Sequence, residues 1–431
     1  MDPTHTRPAT RKRYHILALV FISVVINYMD RSNISIAAFA LSEELGLSTV
    51  QMGLIFSAFA WTYATLQIPG GVLVDVVRPR ILYTVILSLW SVATLLQGFA
   101  SSFASLLGFR MSIGLFETPS YPANNRIVTS WFPEQERAAA IGVYTSGQYI
   151  GLAFLTPVLV AIQAYAGWRG LFIISGAVGL FWAVVWYLFY RDPLLHETVS
   201  ASELDYIKEG GGLINMQPQT TEKGKFQWAE LKQAFLFRKL WGVYLGQFCI
   251  GSCFIFFLTW FPTYLVQYRG LDFLKSGFLA SVPFLAAFVG VLLSGFASDY
   301  LVKKGYSMEF ARKAPVLTGL LLTVSIVGAN YTDSTFWVIF CLAVAFFGNG
   351  LASITWIFVS TLAPKHLIGL VGGIFNFMGG LSAVVIPTVI GFLVKDGDFK
   401  PALLFISILA LTGFFSYLFL VGKVERIELE Q

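Results

Sequence analysis

The sequence predicts an all-α integral membrane protein with twelve transmembrane helices in two six-helix bundles. Hydrophobic residues make up 56% of the chain and charged residues 12%, with a mean hydropathy of +0.70; a soluble domain carries about 25% charged residues. Apolar stretches near the roughly 20 residues that a spanning helix needs recur twelve times. Two short patterns also occur once in each half of the chain, at matching points.

The elements follow in order. A tail, residues 1–13, is rich in basic residues. Spans are expected near 14–40, 50–74, 79–100, 103–128, 138–166 and 168–190, which together form the first bundle, 14–190. The first run is too long for a signal-peptide core and lacks a small-residue cleavage site, so it should stay as a helix. Residues 191–239 are polar, with three consecutive glycines from Gly210, and read as a linker. Its end, "FQWAELKQAFLFRKLW", interleaves charge and aromatics as a helix lying on a membrane surface does. The second bundle, 240–422, holds spans near 240–268, 272–302, 312–331, 335–361, 366–395 and 399–422, and residues 423–431 form a short tail.

Lysine and arginine placement fixes the expected orientation. With both termini cytoplasmic, inside segments hold 21 of the 29 basic residues. Outside loops hold five (Arg169, Arg269, Lys275, Lys395, Lys400), and Arg31, Arg110 and Arg126 lie within helices. Such a distribution reports topology rather than nucleic-acid binding. An inner (plasma) membrane location and a functional monomer are expected.

The halves repeat weakly. "GGVLVD" holds Gly71 and Asp75, and "SGFASD" holds Gly295 and Asp299; basic residues follow both. Pro133 precedes Gly142 by nine residues, as Pro364 precedes Gly373. Asp75 and Asp299 are therefore candidates for a gating loop, and the repeat is parallel.

Four charges fall well inside helices: Asp30, Arg31, Arg110 and Glu117. Burying a charge in lipid costs about 2.5–3.5 kcal/mol on insertion scales. Asp30 and Arg31 point about 100° apart, while Arg110 and Glu117 share a helix face about 10 Å apart along the axis. The plain alternative is a staple between helices, but apolar packing often replaces such staples with no loss of stability. Two acids and two bases suit a proton-coupled carrier of an organic anion. Arginine holds a carboxylate with a fixed fork of donors, and a carboxyl group in low dielectric can exchange a proton. The histidines lie in tails, loops or helix ends. Asn27, Tyr28, Tyr63, Gln67, Gln148, Asn349, Ser353, Thr355 and Asn376 offer polar atoms along a path, with Trp260 and Trp356 able to stack on a sugar face. The plain reading of these residues is backbone bonding and interfacial anchoring.

Twelve helices, a long middle loop and Gly-x-x-x-Asp with basic residues after the second and eighth spans resemble the major facilitator superfamily. Val76 and Pro79 depart from that loop pattern, which usually has Arg and Gly there. "YMDRSN", "FSAFAWTYATLQIPGG", "FETPSYPANNRIVTSWFPEQERA" and "AFFGNGLASITW" resemble its anion:cation symporter family over nearly the whole chain. The resemblance implies secondary active, proton-coupled transport of a sugar acid, an aldonate such as D-galactonate first and glucarate or galactarate next. It implies Asp30 and Glu117 as proton sites. It also implies Arg31, Tyr63, Gln148, Ser353, Thr355, Trp356 and Asn376 as substrate contacts, with Arg110 tuning the charge.

Other classes are disfavoured. No G-x-x-x-x-G-K-[ST] loop exists for an ATP-driven pump, and no nucleophile–base pair or metal cluster is evident for an enzyme. Cys249, Cys253 and Cys341 lie in apolar runs without metal-ligand spacing, so no cofactor is expected. A glucarate/galactarate or hexuronate symporter, or an uncoupled organic-anion uniporter or exchanger, remains the rival. The second half has no base inside a helix, which favours a polyhydroxy monocarboxylate over a dicarboxylate.

Overall fold

The computed structural model describes residues 10–215, 228–364 and 368–427. Among them the chain is helical, with one isolated bridge between Lys395 and Asp398. The first helices are α1 (Lys12–Leu45), α2 (Thr49–Thr65), α3 (Gln67–Val76), α4 (Pro79–Gln97), α5 (Phe103–Glu117), α6 (Ser120–Trp131) and α7 (Glu134–Phe189). Two short helices follow, α8 (Ala201–Glu209) and α9 (Trp228–Leu236), the latter inside the segment expected on the membrane surface. The rest are α10 (Arg238–Thr259), α11 (Phe261–Thr263), α12 (Phe273–Lys303), α13 (Met308–Thr323), α14 (Thr335–Leu351), α15 (Trp356–Leu362), α16 (Ile368–Leu393) and α17 (Lys400–Phe415).

Among the described residues, nine helices are long and apolar enough to span a membrane. The difference from twelve has local causes. The second expected span is α2 and α3, broken at Leu66 (φ −98°, ψ 7°). The fourth is α5 and α6, broken at Thr118 and Pro119. The 56 residues of α7 would run about 84 Å if straight, against a hydrocarbon core of about 30 Å. Gly167 turns the chain inside it, at φ 70° and ψ 177°, a backbone that a side chain would strain. The fifth and sixth spans meet there.

The chain forms two compact units. The first takes in Met1–Asn33, Trp61–Leu152 and Tyr165–Glu222. Its core sets α4 against α5 and α6. Tyr83 stacks on Trp186 at 4.3 Å, and Trp186 on Tyr190 at 4.7 Å. At one end Arg13 bridges Glu136 at 2.9 Å and Glu203 at 3.2 Å. Glu203 is fully buried and also accepts from the Thr10 hydroxyl and the Lys12 and Arg13 amides. This ties α8 to the first turn of α1 and to α7.

The second unit takes in Ile34–Ala60, Ala153–Ala164 and Lys223–Gln431. Here α12 packs along α14, and α10 along α16. Glycine permits the first contact: a methyl on Gly290 would lie 2.3 Å from the Phe347 carbonyl oxygen, and one on Gly350 2.2 Å from that of Ala287. Small residues let membrane helices approach to backbone distance and gain dispersion contacts. Residues of α2 join this unit. Ser57 shares a 2.9 Å hydrogen bond with Thr388, and Trp260 donates to the Pro387 carbonyl at 3.0 Å.

Candidate functional site

The first unit holds the intramembrane charges. Glu117 is the last residue of α5, where Thr118 turns its hydroxyl back to the Gly114 carbonyl at 2.7 Å. The helix stops there because Pro119 supplies no amide hydrogen. A methyl on Gly70 of α3 would lie 2.7 Å from Thr118. The interruption after Glu117 therefore sits beside α3, close to the break at Leu66.

Arg31 of α1 forms an ion pair with Glu117, its Nε donating to Oε1. The arginine side chain is 12% exposed and the glutamate side chain 0%. Tyr28 and Tyr63 flank the guanidinium, each ring centroid 4.9 Å from its central carbon. Aromatic faces stabilise a cation that has left water.

Asp30, one residue earlier, points elsewhere. It is fully buried, and its Oδ2 accepts from the Trp90 indole at 3.1 Å. Its backbone carbonyl accepts from Arg110 Nη1 at 3.3 Å. Adjacent residues on a helix face about 100° apart, and that rotation sends the acid toward α4 and the base toward Glu117. Arg110 precedes Glu117 by seven residues, nearly two helix turns, and so reaches the Asp30 backbone instead of pairing with Glu117 as Arg31 does.

The remaining expected contacts divide between the units. Tyr63 and Gln148 are half-buried in the first. Ser353, Thr355, Trp356 and Asn376 lie in the second. Thr355 is 1% exposed and donates to Gln247 Oε1 at 3.2 Å. Trp356 is half exposed, its ring edge-on to Phe375 at 4.8 Å. Ser353 is half-buried and Asn376 exposed. Two path candidates have structural tasks: Asn349 is buried and donates to the Ile250 carbonyl at 2.8 Å, and Trp260 is 1% exposed against Phe56 and Phe399. Asp75 and Asp299 are on α3 and α12, and their side chains lie outside the described set.

Sequence reasoning missed Trp90 and Gln247. An indole in an apolar run carries no signal of its own. Gln247 did carry one, an amide within a span, which is the property that singled out Gln148 and Asn376.

Comparison with known proteins adds a second line. A family profile described as Major Facilitator Superfamily matches residues 20–387. The chain is 50% identical over 426 residues to a D-galactonate transporter of Escherichia coli O6:H1, covering 99% of each chain. It is 41% identical to a probable galactarate/D-glucarate transporter, GudP, of Escherichia coli K12, covering 98% of this chain and 96% of that one. Among solved structures, a D-xylose–proton symporter aligns with a TM-score of 0.71 at 12% identity, covering 96% of this chain and 98% of that one. A bacterial homologue of the lysosomal transporter Spinster, inward-facing and unoccupied, aligns with a TM-score of 0.71 at 18% identity, covering 98% and 96%. These two likenesses bear on fold alone.

Proposed function

We propose that this chain, which belongs to the major facilitator superfamily, imports D-galactonate or a closely similar aldonate together with protons. The observation that carries the reading is the buried Arg31–Glu117 pair with its flanking tyrosines. Glu117 occupies the guanidinium that a substrate carboxylate would need. A proton on Glu117 removes the competing charge and frees Arg31 for the substrate; loss of the proton returns Arg31 to Glu117. Each state then leaves few unpaired buried charges, which are costly in a low dielectric. Asp30 is the second proton site, with Arg110 holding the α1 backbone beside it.

The substrate carboxylate is assigned to Arg31, with Tyr63 and Gln148 beside it. Ser353, Thr355, Trp356 and Asn376 are assigned to the hydroxyl tail, because each hydroxyl wants both a donor and an acceptor. The six-plus-six organisation, the cytoplasmic termini, the monomer and the gating roles of Asp75 and Asp299 belong to the same proposal. It is supported by the identity to a D-galactonate transporter and by the basic-residue bias of the sequence. In proteoliposomes holding the purified chain, an outside-acid pH step should drive labelled galactonate above its equilibrium level. Equilibration without accumulation would point to a uniporter or exchanger. Displacement of galactonate by glucarate at much lower concentration than by galactonate would reassign the substrate to a diacid.

A further inference from the structure

Asp30 is fully buried and its carboxylate turns to Trp90 of α4, so its proton needs a route of its own. Two stripes of buried polar side chains run on from it toward the C-terminal ends of α1 and α4. On α1, Asn33 follows Asp30 by one turn; on α4, Thr94 and Gln97 follow Trp90 at four and seven residues, on one face. Asn33, Thr94 and Gln97 are all 0% exposed. The Trp90–Asp30 hydrogen bond fixes the register of the two helices. Asn33 then lies about 4.5 Å beyond Asp30 and Thr94 about 6 Å beyond Trp90, at 1.5 Å per residue. Gln97 closes α4 about 10 Å beyond Trp90, one turn below the exposed Ser101 and Ser102. Arg110 stands seven residues into α5, so it sits at the same depth as Trp90 across the loop that joins α4 to α5. Leu106, the next turn of α5, is apolar, so α1 and α4 supply the polar atoms.

These side chains have no partners to explain them. Both amide atoms of Asn33, both of Gln97, the Thr94 hydroxyl and Asp30 Oδ1 are buried without a hydrogen-bond partner among the described residues. An unsatisfied buried polar atom costs about 1–3 kcal/mol, so six of them on two helices joined at Asp30 and Trp90 call for a partner. Internal water is the group that satisfies such sites, usually with two to four polar partners each.

We infer that Asn33, Thr94 and Gln97 line a hydrated column between α1 and α4, through which Asp30 exchanges its proton with the outer face, apart from the substrate route at Arg31 and Glu117. The inference rests on the proposed proton coupling and orientation. About 10 Å is spanned by roughly four hydrogen-bond lengths of about 2.8 Å. A proton entering at Gln97 passes along the waters, and the Asp30 carboxylate accepts it; the side chains hold the waters and stay unchanged. The charged groups acting on Asp30 are Glu117 and Arg110.

The test compares two readouts in proteoliposomes: galactonate accumulation driven by an outside-acid step, and galactonate exchange at equal pH on both sides. The variants are Thr94→Val and Gln97→Met, which keep volume and remove the water-holding atoms. Thr94→Ser, which keeps the hydroxyl, guards against a folding effect. Expected is a loss of about tenfold or more in the initial rate of driven uptake, with exchange changed less than about twofold and Thr94→Ser near wild type. Wild-type rates of driven uptake in both apolar variants would overturn the column. So would an equal loss of driven uptake and exchange, which marks a packing role. The wild-type trace is read first: if it shows no proton drive, the symport reading itself falls, and the column with it.

Discussion

Arg31 and Glu117, 86 positions apart in sequence, form an ion pair whose glutamate side chain has no exposed surface. The pair joins α1 to the end of α5, where the chain breaks at Thr118 and Pro119. A staple alone would not need this location. The pair sits at a helix interruption, and the arginine side chain keeps 12% of its surface exposed, two features that suit a displaceable partner.

Arg31→Lys tests the fork geometry. Lysine keeps the charge but presents a compact ammonium, which cannot meet a carboxylate with two parallel donors or lie flat between Tyr28 and Tyr63. Galactonate affinity, read by calorimetry on the purified protein, should fall at least about tenfold, or roughly 1.4 kcal/mol. Wild-type affinity would remove bidentate recognition from the account.

Asp30→Asn keeps the shape at Trp90 and removes the titrating proton. The amide can still accept from the Trp90 indole, so the fold should hold. Proton-driven accumulation should fall about tenfold or more, and the melting temperature should move little. Full accumulation would leave Asp30 as a structural acid.

How much of this was legible beforehand follows from the physics of each feature. Spans are set by hydropathy, a property of the segment itself, so the twelve stretches were readable, including the division near Gly167. The span expected near 103–128 is interrupted after Glu117, where "FETPSYP" supplies Pro119 and Pro122. Partners were not readable. The choice of Arg31 over Arg110 for Glu117 depends on how α1 is rotated against α5, and spacing along one helix is blind to that. Trp90 was invisible for the same reason: its indole matters only because α4 is in register with Asp30.

Glu203 anchors the linker. It is fully buried and accepts from Arg13, two backbone amides and Thr10. Removing one partner of a buried charged pair costs about 3–5 kcal/mol. Glu203→Ala should therefore lower the melting temperature in detergent by several degrees and free the segment around α8 for proteolysis. An unchanged melting curve and cleavage pattern would show that α8 is not held by this residue.

Ser57 and Thr388 report on motion within the second unit. Their hydroxyls are 2.9 Å apart, and a methyl on Gly53, one turn away on α2, would lie 2.6 Å from the Pro387 carbonyl oxygen. If transport requires α2 and α16 to part, cross-linking Ser57→Cys to Thr388→Cys under oxidant should stop uptake, and a reductant should restore it. The native Cys249 and Cys253 are buried, and the wild-type chain treated with oxidant is the control. Uptake at wild-type rate in the cross-linked protein would show that this contact persists through the cycle.

Glu117→Gln isolates the step in which a proton on Glu117 releases Arg31 to the substrate. Glutamine has the size of the protonated acid and no charge to compete for Arg31. In proteoliposomes, the variant should bind galactonate at least as tightly as wild type and carry out galactonate exchange, with binding that no longer varies with pH through this group. Accumulation driven by an outside-acid step should fall about tenfold or more. Accumulation at the wild-type level with Glu117→Gln would remove Glu117 from proton coupling.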